Sequence, residues 1–283
     1  IIYGRPRLGK TRSIKVATNY LKEEFGKTLP IFTARAVSNI KHSESRFYSL
    51  LLDGVGHSEI LSGKVEYKRE RLIKHLIEVC KRDRQNKIIV YIDDAQKLRE
   101  PEYNWLMDIY NELEVYNVHL IIFLVGQEEL MHIRGSFISA KKRQLIGRFM
   151  THEHRFYGLR TVNALKFCLS QYDQYSHYPT RNDYTYTELF FTEAYNDGER
   201  LANQAEEIYN LFYDFHNSIS TKSNIEIPMQ YITLTIDCCL RTYGRGGDEK
   251  YFPSLDDWKQ SIILSGYIEA ERYNDMFGED PDA

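Results

Sequence analysis

The chain has 283 residues, 42% of them hydrophobic, and a formal net charge of −3. That apolar share excludes wholesale disorder and supplies enough core for one large domain or two small ones. The charge excludes a globally basic nucleic-acid binder and leaves room only for a local basic face, and no apolar run reaches transmembrane length.

Cys80, Cys168, Cys238 and Cys239 show no C-x-x-C spacing. Reduced thiols in a cytoplasmic protein are the simplest expectation, and no stretch reads as a signal peptide. The chain begins without Met, inside what should be a central strand, which suggests the ordered part of a longer protein.

Ile1-Ile2-Tyr3 reads as a strand end. Gly4, Arg5, Pro6, Arg7, Leu8, Gly9, Lys10 and Thr11 follow at once, and a helical pattern opens at Thr11, with Arg12 in its first turn. This is G-x-x-x-x-G-K-[ST], the P-loop, in its strand–loop–helix setting. The glycines let backbone N–H groups close around phosphate oxygens, and the helix points the positive end of its dipole at the same anion. Lys10 is placed for the β- and γ-phosphates of ATP, and Thr11 for Mg²⁺.

Ile14, Val16, Ala17, Tyr20, Leu21 and Phe25 keep helical spacing up to Gly26. Leu29 to Ala34 is a short second strand. Arg46 to Leu52 reads as a helix broken at Gly54 and Gly56. Lys68 to Arg82 reads as an amphipathic helix, with Leu72, Ile73, Leu76, Ile77 and Val79 against basic residues, and the basic stretch from Lys64 to Arg71 reads as its solvated face.

Ile88-Ile89-Val90-Tyr91-Ile92 is a continuous apolar run, as expected of a strand buried on both faces of a parallel sheet. It ends in Asp93 and Asp94, at the strand edge where α/β sheets place ligands. As a Walker B pair, Asp93 would hold Mg²⁺ and Asp94 would polarise the attacking water. Asp94 is one methylene shorter than the Glu usual in such ATPases, so slow hydrolysis is expected. A further buried strand, His119 to Val125, ends in Gly126-Gln127. Gln127 is the candidate to touch the γ-phosphate or its water; its other reading is an ordinary residue at a helix start.

Beyond residue 157 the pattern is helical. Thr161 to Tyr172, Leu201 to Phe215, Pro228 to Leu240 and Leu255 to Ile268 carry apolar periodicity, with a Tyr-rich polar stretch from Gln171 to Tyr186. Glu269 to Ala283 turns acidic and is expected to fray.

The wording around these motifs resembles the TnsC/TniB group of AAA+ ATPases of bacterial DNA transposition. Gly4 to Thr11, Tyr91-Ile92-Asp93-Asp94-Ala95-Gln96-Lys97-Leu98, Leu124-Val125-Gly126-Gln127, Leu145-Ile146-Gly147-Arg148-Phe149 and Gly198-Glu199-Arg200-Leu201-Ala202 carry the resemblance. IstB-like helicase loaders are more distantly similar. Asp94 for Glu, and Gln127 for Thr or Asn, depart from the family pattern.

The resemblance implies an α/β P-loop AAA+ parallel sheet flanked by helices over residues 1–157, and a helical lid with a C-terminal extension over 158–283. It implies that Arg148 is the finger reaching a neighbouring subunit's γ-phosphate, with Arg143 in reserve. Arg200 would be the lid arginine that contacts nucleotide in its own subunit; Glu199-Arg200 also reads as a charge pair at a helix start.

It further implies a ring or helical homo-oligomer on duplex DNA, held through the backbone by residues between Arg35 and Lys64. The polar candidates there are Lys41, His42, Ser43, Ser45, Arg46, His57, Ser58 and Lys64, which suit sequence-independent phosphate contact. A transposase and a target-selection protein are the implied partners. A helicase loader on single-stranded DNA, a monomeric P-loop kinase and a module with a purely structural nucleotide remain alternatives.

Overall fold

A computed structural model describes residues 1–38, 43–83, 86–177, 184–220, 224–244 and 251–277. The chain divides into two compact units, Ile1–Phe156 and Tyr157–Ala283.

The first unit runs β1 (Ile2–Tyr3), α1 (Lys10–Phe25), β2 (Ile31–Arg35), α2 (Glu44–Gly54), α3 (Val65–Cys80), β3 (Lys87–Asp93), α4 (Glu100–Val115), β4 (His119–Gly126), α5 (Glu129–Ser139), α6 (Arg143–Phe149) and β5 (His154–Arg155). The strands pair in the order β2-β3-β4-β1-β5, parallel throughout. Parallel neighbours need helical crossovers, and these cover the sheet.

The apolar run of β3 is shared between two cores. Ile88, Val90 and Ile92 belong to the large cluster with Leu52, Leu72, Leu106 and Leu124. Ile89 and Tyr91 pack with Ile14 of α1, Leu29 and Val125 on the other side. Alternate residues of a strand face opposite ways, so a strand with helices on both sides reads as unbroken hydrophobicity.

Several local expectations change. Within the stretch from Lys64 to Arg71, where Lys64, Glu66, Tyr67 and Glu70 are exposed, Lys68 departs from the expected solvated face: it is 5% exposed, and its ammonium donates to Ser45 Oγ at 3.0 Å and Ser49 Oγ at 2.8 Å. Arg69 pairs with Glu112 of α4, and Arg71 with Glu59. Lys141-Lys142-Arg143, which also reads in sequence as a solvated basic helix segment, forms the junction between α5 and α6, with Lys141 at φ 55°. Helix α4, which the periodicity did not single out, starts with Arg99 as cap, Pro101 in the first turn, and Glu102 reaching back to the Arg99 N–H at 3.1 Å.

The second unit is helical: α7 (Val162–Gln174), α8 (Tyr186–Phe190), α9 (Thr192–Asn196), a 3-10 turn at Leu201–Gln204, α10 (Ala205–Ile219), α11 (Met229–Tyr243), α12 (Leu255–Leu264) and α13 (Tyr267–Phe277). Its core is built on fully buried Phe212, Trp258 and Tyr267. The expected last helix is two, parted at Gly266, whose φ of 77° no continuing helix accepts. The stretch expected to fray from Glu269 is helical as far as Phe277, with Tyr267 and Glu271 buried; residues 278–283 lie outside the described residues. Among the described residues no helix is long and apolar enough to cross a membrane.

Candidate functional site

The P-loop leaves β1 at Gly4 and enters α1 at Lys10. Gly4 is fixed by close approach: a Cβ there would lie 2.4 Å from the Phe156 carbonyl oxygen, where the chain leaving β5 bonds back to Tyr3. Gly9 holds φ 101° as the α1 cap and offers no side chain to the helix start, so the first N–H groups of α1 stay available to an anion. Leu8 is buried and anchors the loop, whereas Pro6, Arg7 and Arg12 are exposed; Arg5 lends its carbonyl to Lys10.

Lys10 Nζ donates to the carbonyls of Gly4 at 2.7 Å and Arg5 at 2.6 Å. Burial lowers its pKa, while Asp93, Glu128, Asp94 and Glu129 pull the other way. The ammonium thus lies in a field of carboxylates at the loop mouth.

Thr11 Oγ1 donates to Asp93 Oδ2 at 2.7 Å, and Asp93 is 6% exposed. A hydroxyl and a carboxylate in direct contact are both within reach of one divalent cation. Mg²⁺ favours this donor set, one or two protein oxygens with phosphates and water completing the shell. Among the described residues no group of three or more His, Cys, Asp or Glu side chains forms a metal site. The Thr11 hydroxyl and the Asp93 carboxylate are oxygen donors of the kind that fit a Mg²⁺ brought in with phosphates.

Asp94 sits beside this pair in the left-handed region, φ 56°. Its Oδ2 accepts from Arg35 Nε at 3.0 Å and Lys97 Nζ at 2.8 Å. Partial burial pushes its pKa up, but the hydrogen bonds and charges of Lys97 and Arg35 outweigh this and hold it below the usual carboxylate value. Motif reading gave Arg35 and Lys97 no role at the site. Parallel pairing of Arg35 with Asp93 in the β2–β3 register brings the arginine there; Lys97 lies three residues on, across one 3-10 turn.

Gln127 follows β4, which lies between β1 and β3. Its backbone N–H donates to Gln96 Oε1 at 3.2 Å. The next residue, Glu128, pairs with Arg155 of β5 at 3.6 Å. The site thus gathers Lys10, Thr11, Asp93, Asp94 and Gln127 at the ends of β1, β3 and β4, where open α/β sheets take ligands.

The two arginines drawn from the resemblance are carried by other elements. Arg148 is on α6, its guanidinium 4.4 Å from the Tyr110 ring centre and 3.8 Å from Glu114. It lines an open groove with Arg143, Met107 and Asn111. Arg200 belongs to the second unit, where it lies 3.5 Å from the Tyr195 ring centre and donates to the carbonyls of Tyr195 and Glu199.

Lys41 and His42 lie outside the described residues. Ser43 caps α2 by accepting from the Arg46 N–H, and Ser45 accepts from Lys68 of α3, so the N-termini of α2 and α3 adjoin. Arg46 and Lys64 are exposed at this end. His57 is not: it packs on His75 with ring centres 5.2 Å apart, seven residues or about 10 Å along α3 from Lys68. Ser58, its neighbour, is exposed at that same end.

Residues 1–133 match the family model of the AAA domain. The ORC2 protein of Aeropyrum pernix, in its ADPNP–ADP complexes, is similar over 93% of this chain and 61% of that chain, at 15% identity and a TM-score of 0.55. In its ADP form the figures are 94%, 62%, 13% and 0.59. The chain thus spans about three-fifths of the length of ORC2, and the likeness is one of fold. No curated protein matches the chain. The fold is that of the AAA+ ATPases: a parallel five-stranded sheet flanked by helices, followed by a helical region.

Proposed function

We propose that this chain is an ATP-binding and ATP-hydrolysing AAA+ protein that assembles on duplex DNA as a transposition regulator of the TnsC/TniB kind. The observation that carries the nucleotide part is the Thr11–Asp93 hydrogen bond of 2.7 Å, which joins the P-loop to the tip of β3. The AAA domain match over residues 1–133 and the fold shared with ORC2 in its nucleotide complexes support it.

Lys10 would exchange the two loop carbonyls for phosphate oxygens, trading neutral acceptors for anionic ones, which make stronger hydrogen bonds. Thr11 and Asp93 would hold Mg²⁺, which when bound neutralises phosphate charge. Asp94 would orient the attacking water through its carboxylate. Its pairing with Arg35 and Lys97 means that one of these contacts must loosen first, which supports slow turnover. Gln127 would face the γ-phosphate from the tip of β4.

The DNA part is supported by the adjoining N-termini of α2 and α3, with Ser43, Arg46 and Lys64 at one end of the helix pair. Helix N-termini, hydroxyls and exposed cations are what backbone contact requires. The transposition assignment and the roles of Arg148 and Arg200 rest on the TnsC/TniB resemblance.

The test is ATP-dependent assembly on duplex against single-stranded DNA, followed by sedimentation and negative-stain microscopy, for wild type, Lys10→Ala and Arg148→Ala. Rings or filaments that need ATP and duplex, and are lost in both variants, are the expected result. Preference for single strands moves the reading to a helicase loader. A monomer that hydrolyses ATP at every concentration overturns the assembly and points to an enzyme acting alone.

A further inference from the structure

One side chain spans the tips of β3 and β4. Gln96 lies in the 3-10 turn Ala95–Lys97. Its Oε1 accepts from the Gln127 backbone N–H at 3.2 Å, and its Nε2 faces Asp94 Oδ1 at a long 3.5 Å. A primary amide donates and accepts at once, so one residue holds an acidic group on one strand and the backbone of the next.

A second observation bears on the same contact. A Cβ built at Gly126 would stand 2.6 Å from Gln96 Oε1 and 3.2 Å from its backbone nitrogen. Gly126 has no left-handed φ among the positive-φ glycines, so conformational freedom does not explain the glycine. Room for the Gln96 amide does.

The two oxygens of Asp94 are divided. Oδ2 takes both cations, Arg35 and Lys97; Oδ1 faces Gln96. If Oδ2 leaves the cations to meet water, Oδ1 stays tethered to the group that also fixes Gln127.

We propose that Gln96 is a positioning residue that couples Asp94 to Gln127, so that water orientation and γ-phosphate contact are set together. This rests on the reading of the site as an ATPase. Gln96 touches neither the loop nor Lys10, Thr11 or Asp93 through any of these bonds, so its loss acts on the chemical step and spares nucleotide binding.

The experiment uses the full chain with Gln96→Leu, Gln96→Glu and Gly126→Ala. Gln96→Leu removes both links. Gln96→Glu keeps an acceptor for Gln127 and sets a carboxylate against Asp94. Three quantities are read: affinity for a fluorescent ATP analogue, single-turnover hydrolysis of ATP, and hydrogen–deuterium exchange at the Gln127 amide.

All three variants are expected to bind the analogue within about threefold of wild type and to hydrolyse at least about tenfold more slowly, equivalent to roughly 1.4 kcal/mol in the barrier. The Gln127 amide should lose protection in Gln96→Leu and Gly126→Ala and keep it in Gln96→Glu. Unchanged hydrolysis, or affinity falling in step with rate, overturns the coupling. So does a wild type that binds but does not hydrolyse, which leaves the nucleotide site standing. A wild type that binds no ATP analogue overturns the ATPase reading itself.

Discussion

Thr11 and Asp93, 82 positions apart in sequence, share a hydrogen bond of 2.7 Å. The hydroxyl belongs to the second residue of α1 and the carboxylate to the last residue of β3. Their contact places two oxygen donors at one point of the sheet edge, as a phosphate-bound divalent cation needs. Replacing Thr11 by Val keeps the shape and removes one of the two. We expect Thr11→Val to weaken ATP affinity about tenfold in excess Mg²⁺ and to leave it nearly unchanged in EDTA, as read by equilibrium titration. Equal weakening in both conditions would mean that Thr11 serves the loop and not the metal.

Arg35 and Lys97 compete with water for the same oxygen of Asp94. Arg35 is the weaker holder, since its side chain is 75% exposed and an exposed ion pair is screened. Arg35→Ala should therefore leave Asp94 Oδ2 held by Lys97 alone without unfolding the site, and steady-state hydrolysis should rise about threefold to tenfold. A fall in rate would show instead that Arg35 assists the reaction.

The same pair predicts an acid dependence. The folded pKa of Asp94 lies below its ordinary value of 3.8. A depressed carboxyl contributes stability that is fully present above the unfolded pKa and is lost as pH falls through the folded one. Stability measured by urea unfolding should drop below about pH 4, and Asp94→Asn should make that drop shallower while lowering stability at neutral pH. Parallel acid profiles for the two proteins would remove Asp94 from the account.

Contiguous features were legible in the sequence, and those depending on register or depth were not. The P-loop lies within one turn and its helix, and β3 announces its two-sided burial through Ile88 to Ile92, so both could be read directly. Arg35 reaches Asp94 across 59 positions, a relation set by the β2–β3 register, which no local pattern carries. Lys68 sits at a helical position that periodicity assigns to solvent, yet Ser45 and Ser49, 23 and 19 positions away, hold its ammonium in the interior. Periodicity gives a residue's face but not what packs over that face. Gln96 stood in the Walker B wording without a role, because its partner is the Gln127 backbone N–H, which has no sequence identity.

The cysteines give a direct check on the core. Cys80, Cys168 and Cys239 are buried, and Cys238 is partly exposed. Burial pushes the Cys168 thiol up to about 11 and raises Cys80 and Cys239 as well. The thiolate is the reactive form, so these three are doubly protected. An aromatic disulfide reagent at pH 8 should titrate at most one thiol in the native chain, Cys238, and all four after denaturation. Rapid modification of Cys168 or Cys239 under native conditions would contradict the packing of the second unit.

Asp173 organises the segment that carries Arg200. It is 1% exposed. Its Oδ1 accepts from Thr187 Oγ1 at 2.7 Å and from the Leu201 N–H at 3.1 Å, and its Oδ2 accepts from the Ala202 N–H at 3.0 Å. The carboxylate thus fixes the two residues that follow Arg200. Asp173→Ala leaves three buried donors without a partner, at a cost of about 3 kcal/mol. Asp173→Asn keeps one acceptor but turns an N–H toward the Ala202 N–H, and should cost about half as much. The two tryptophans separate the units: Trp258 is buried in the second, so its fluorescence in a Trp105→Phe background reports unfolding there. A midpoint unchanged by Asp173→Ala would mean that the helices hold the Arg200 segment without the carboxylate.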